Sequence, residues 1–77
     1  MTLKRDLNPM PPEVRAALEE RGLSAAYEAR PPFQRNDYLG WIRRARKPET
    51  RQKRLDQMLD ELEDGDIYMK MRWDPRS

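Results

Sequence analysis

The chain has 77 residues, with no cysteine and no histidine. Lysine and arginine number 16 against 14 acids, a formal net charge of +2, and charged residues (39%) outnumber hydrophobic ones (36%). This length holds one small core. The missing residue types exclude disulfide staples, zinc fingers and thiol or imidazole chemistry. Outside alanine the chain has 22 apolar residues. That is a thin core for an unstapled domain, so docking against a protein partner or a second copy is expected.

Residues 1–10 are polar with scattered leucines and read as a flexible N-terminal lead. Pro11-Pro12 opens the first helix, about residues 12–21, in which Val14, Ala17, Leu18 and Arg21 follow the helical repeat and Gly22 fits the stop. Ser24 is a good cap for a short second helix carrying Ala25, Ala26 and Tyr27, broken at Arg30 by Pro31-Pro32. The third helix runs from Pro32 to about Arg46, with Tyr38, Trp41, Ile42 and Ala45 on one face. Gly40, set opposite that face, suggests close approach of a neighbouring element. Pro48 starts a fourth helix ending at Gly65, with Leu55, Met58, Leu59 and Leu62 in helical spacing. The short connection at Lys47 makes the third and fourth helices a corner or hairpin. In the tail IYMKMRW, Ile67, Met69, Met71 and Trp73 alternate with Tyr68, Lys70 and Arg72, which is the period of extended chain. The expected fold is all-α: a small bundle of three to four short helices over residues 11–66, with an extended C-terminal arm over 67–77. Met69, Met71 and Trp73 are the candidate interaction surface of that arm, by packing on the bundle or by adding to a partner.

Charge is distributed unevenly. Residues 43–54 carry seven bases against one acid, and residues 55–66 carry six acids and no base. The cations Arg43, Arg44, Arg46 and Lys47 suit the negative end of the third helix. The fourth helix has the opposite bias: Arg51, Lys53 and Arg54 near its start, Glu61, Glu63 and Asp64 near its end. Each such charge costs about 0.3–1 kcal/mol if unscreened, so something should compensate. Arg51 projects with Leu55, Met58 and Leu62, and Arg54 flanks that stripe. A guanidinium at the core edge needs a partner, and Asp37, Glu13 and Glu19 are the candidate carboxylates.

Three readings share this corner. The first is a structural ion-pair cluster clamping the fourth helix to the rest of the chain. The second is an anion site in which Lys47, Thr50, Arg51 and Arg54 join the free amides of the helix start. The third is a nucleic-acid surface of Arg43, Arg44, Lys47, Lys53 and Arg54, with Tyr38 or Trp41 stacking on bases. The acidic half of the fourth helix opposes the third. Enzymatic chemistry is the least supported class, because there is no histidine base and no glycine-rich phosphate loop. No catalytic residue, metal ligand or cofactor is expected. No apolar run reaches membrane-spanning length, and no secretory signal is recognisable, so the expected location is the cytoplasm without membrane insertion.

The stretch PPFQRNDYLGWIRRARKPETRQKRLDQMLDEL resembles the YdeI/OmpD-associated, or bacteriocin-protection, family. The resemblance rests on Trp41-Ile42, Ala45-Arg46-Lys47, Glu49-Thr50-Arg51 and Lys53-Arg54 ahead of the apolar helix from Leu55. Arg46 stands where the family more often has lysine, which keeps charge but changes hydrogen-bond geometry. PPEVRAALEERGLSAAYEA also looks like the family's leading helices, so the resemblance covers about residues 10–73. It implies a small helical domain, here in free-standing form, with no established catalytic residues. The role it implies lies in bacteriocin tolerance or envelope stress.

Overall fold

A computed structural model describes residues 8–73. Four helices follow one another: α1 (Pro12–Glu20), α2 (Ser24–Glu28), α3 (Pro32–Arg43) and α4 (Pro48–Asp64). Proline occupies the first helical position of α1, α3 and α4, where its missing N–H removes a donor that would otherwise lack a partner. Helix α1 ends as the sequence suggests. Gly22 adopts φ +67°, and Leu23 N–H donates to the Leu18 carbonyl at 2.8 Å. This wraps the terminus so that Leu23 and Leu18 both enter the core.

The core gathers Val14 and Leu18 from α1, Leu23 and Tyr27 around α2, Tyr38, Leu39 and Ile42 from α3, and Leu55, Met58, Leu59 and Leu62 from α4. Burying each large side chain contributes about 1.5–3 kcal/mol. Trp41, expected on the same stripe as Tyr38, is only half-buried. Gly40 is buried, not opposite the packed face, and a Cβ there would lie 2.8 Å from Asn8 Nδ2. Asn8 reaches this point by donating its backbone N–H to Asn36 Oδ1 at 2.7 Å. Close approach is therefore the reason for the glycine. The end of the lead, from Asn8 to Met10, is packed on the bundle, and residues 1–7 lie outside the described residues.

The all-α expectation is corrected at the C-terminus. The tail forms an antiparallel hairpin of β1 (Ile67–Tyr68) and β2 (Met71–Arg72), with Ile67 opposite Arg72 and Tyr68 opposite Met71. Trp73 N–H donates to the Asp66 carbonyl at 2.6 Å and closes its base. Alternation cannot distinguish one strand from two joined by a two-residue turn. Such turns also normally announce themselves with Asn or Gly, whereas here Met69 and Lys70 take positive φ, 51° and 64°. The expected Met69, Met71 and Trp73 stripe is consequently dispersed. Met69 packs partly on the core, Met71 is exposed, and Trp73 lies over the Arg30 guanidinium, 4.7 Å from its ring centroid. The remainder of the expected arm, 74–77, lies outside the described residues.

Candidate functional site: the two ends of helix α4

The cationic end of α4 meets the end of α3. The last carbonyls of a helix have no partner within it, and arginine is well suited to bond them. Arg54 Nη1 donates to the Trp41 carbonyl at 2.6 Å, and Arg51 Nη2 donates to the Ala45 carbonyl at 3.2 Å. The Arg54 guanidinium also covers the Trp41 ring, 5.2 Å from its centroid. The expected carboxylate partners are thus corrected. Arg51 and Arg54 bond main-chain carbonyls, Arg51 is exposed rather than buried, and Asp37 Oδ2 instead accepts the Tyr68 hydroxyl at 2.6 Å. The α3 dipole supplies the partial negative charge.

Around these two arginines, Arg43, Arg44, Arg46, Lys47 and Lys53 are exposed. Arg43 donates to Asn8 Oδ1 at 3.2 Å. Among the described residues, none of the five is within ion-pair distance of a carboxylate; the ion pairs present join Arg21 to Asp60 and Glu63, and Arg35 to Glu28. Thr50 makes no side-chain cap at the start of α4. Arg51 lines an open cleft of about 430 Å³ between α1 and α4, floored by Val14, Ile42 and Leu55 and rimmed by Glu13 and Glu20. Those two carboxylates oppose an anion there. The structure therefore brings Lys47, Arg51 and Arg54 to one corner but does not join them, with Thr50, into a closed pocket.

The acidic end holds the residues that sequence reasoning missed. Glu61 is 5% exposed. Its carboxylate accepts the Tyr38 hydroxyl, Gln57 Nε2 at 3.1 Å, and the backbone N–H groups of Met69 and Lys70, each at 2.8 Å. The Glu61 carbonyl accepts Arg30 Nη2 at 2.9 Å, while Arg30 Nη1 donates to Gln34 Oε1 at 3.1 Å. Arg30 and Gln34 are buried as well, and Gln34 Nε2 is the one buried side-chain polar atom without a partner among the described residues. A signal for Glu61 existed. It stands seven residues after Arg54, on the same edge of the apolar stripe, and the reasoning that marked Arg54 applies equally to it. Nothing comparable marked Arg30.

Above this node the aromatic rings are stacked edge to face. The Tyr68 ring lies 5.4 Å from Tyr38 and 6.0 Å from Phe33. Burial, followed by the bond to Glu61, pushes the Tyr38 phenol well above its ordinary range. Burial and the bond to Asp37 do the same for Tyr68. No group of three or more acidic residues is arranged to hold a metal among the described residues, and none of their helices is long and apolar enough to cross a membrane.

These features define a small mostly helical domain with a cationic corner and a hairpin seated on a buried glutamate. A family model described as bacteriocin-protection, YdeI or OmpD-associated, matches residues 9–65. The chain belongs to that family. The matched segment contains all four helices and stops before the hairpin. No curated protein and no solved structure matches the chain.

Proposed function

We propose that this protein is a non-enzymatic interaction module acting in bacteriocin tolerance, and that it meets an acidic surface of a partner protein through the corner between α3 and α4. The supporting observation is the exposed set Arg43, Arg44, Arg46, Lys47 and Lys53, which lacks carboxylate partners among the described residues. Keeping several like charges together has an electrostatic cost that an opposing surface offsets. By contrast, the buried ionisable groups Glu61, Arg30 and Tyr38 are engaged with one another and with the backbone. The family description supplies the biological setting.

Nucleic acid is the competing partner for the same cations. Two of its expected contacts, Arg54 and Trp41, are occupied with each other, which favours the protein reading. The triple variant Arg46→Glu/Lys47→Glu/Lys53→Glu cancels the net positive charge of the corner without touching a described core residue. In bacteria lacking the chain and challenged with a bacteriocin, the wild type should restore survival, and the triple variant should not while its circular dichroism stays native. Equal protection by the triple variant overturns the reading. Salt-sensitive binding of the wild type to a short DNA duplex, abolished by the same substitutions, transfers the corner to nucleic acid.

A further inference from the structure

We propose that the C-terminal hairpin is a latch, held shut by Glu61 and able to lift from a helical bundle that stays folded without it. A two-stranded hairpin alone in water is at best marginally stable, and this one has only two residues per strand. Its turn is unfavourable. Met69 and Lys70 both adopt left-handed backbone, a region that residues with a Cβ avoid. Such strain persists only where the surroundings over-determine it. Here the determinant is external to the hairpin: the Glu61 carboxylate accepts the N–H groups of both turn residues. The carboxylate comes from α4, so the closed state depends on a bond across elements rather than on the hairpin's own sequence.

The rest of the seat is built for separation. The hairpin follows Gly65, which leaves α4 at φ +89°. The fully buried side chains Val14, Gln34, Tyr38, Ile42 and Met58 all come from helices, while Tyr68 and Met69 only pack against the cluster. Met71 is 60% exposed. When shut, Trp73 lies on Arg30 and Tyr68 on Tyr38. Lifting the latch uncovers both, together with the Glu61 carboxylate. One motion therefore changes the molecule from a surface with a closed C-terminal face to one presenting a guanidinium, a phenol and a carboxylate.

Hydrogen–deuterium exchange of the full chain tests this. Glu61→Gln replaces one acceptor oxygen with an NH2 group, so that one of the two turn amides loses its acceptor. Exchange across residues 66–73 should rise about 10- to 100-fold, while residues 12–43 keep wild-type protection. In that background Met69→Asn/Lys70→Gly gives the turn its preferred residues and should restore slow exchange in 66–73. Wild-type protection of 66–73 in Glu61→Gln overturns the latch. Equal loss of protection over 12–43 overturns it too, because the hairpin would then be part of a single cooperative unit. Failure of the turn substitutions to restore protection removes backbone strain from the account.

Discussion

The two ends of α4 carry charges of the wrong sign for their own helix, and both are accommodated, by different means. At the start, Arg54 turns onto a carbonyl in the last turn of α3 and Arg51 onto the Ala45 carbonyl just beyond it. At the end, Glu61 turns onto the amides of the hairpin, and Arg21 joins Asp60 and Glu63 at the surface. In the two inward cases the compensation is neighbouring backbone, not an opposite side-chain charge. A helix biased against its own dipole is thus a helix prepared to bond the termini and turns of other elements. The ends differ in burial. Glu61 is sealed in, whereas Arg51 remains exposed. Removing the contacts of the acidic end should therefore cost more.

The largest effect should come from Arg30→Ala, which removes the bond to the Glu61 carbonyl, the bond to Gln34 and the stacking under Trp73. The expected loss is about 3 kcal/mol, measured as a shifted urea midpoint; a loss near zero would place Arg30 in solvent. Tyr38→Phe follows, with about 1.5–3 kcal/mol for a hydrogen bond to a charged acceptor. The same residue sharpens the comparison through pH. The folded phenols of Tyr38 and Tyr68 are raised above the ordinary value of 10.0. The unfolded chain therefore loses its phenolic protons first. The resulting stability is fully present below about pH 10 and is lost as pH rises through the folded values. Denaturation followed across alkaline pH should show that fall, and Tyr38→Phe should reduce it. The cationic end should respond least. Arg54→Ala should cost about 1–2 kcal/mol through its bond to Trp41 and the ring contact. Arg51→Ala should cost below about 1 kcal/mol. Thermal melts of the two variants would reverse the comparison if Arg51 proved the more important.

Much of the helical architecture was legible along the chain. Proline at the first turn of three helices, Gly22 and Gly65 at two stops, and the stripes of Val14 and Leu18 or Leu55, Met58, Leu59 and Leu62 are local signals with short-range causes. The end of α3 was less legible, because the run Arg44–Lys47 contains no helix breaker before Pro48, and the helix stops at Arg43. The hairpin is hidden in the sequence for a similar reason. Met69 and Lys70 give no sign of left-handed backbone, since what stabilises it is a carboxylate eight and nine residues away.

The candidate site divides along the same line. That Arg43, Arg44, Arg46, Lys47 and Lys53 crowd one corner follows from their adjacency in sequence. What Arg51 and Arg54 bond did not follow, and an expected salt bridge to Asp37 gave way to two main-chain carbonyls. Periodicity and proline placement by themselves determined the helices, their apolar faces and the clustering of positive charge, because these depend on neighbours within a few residues. Only the tertiary structure decided that Glu61, Arg30 and Gln34 are interior and that the tail folds back as a hairpin. Those outcomes depend on which donors and acceptors separate elements bring together, because burial makes an unmatched polar group costly; Gln34 Nε2 is the exception among the described residues.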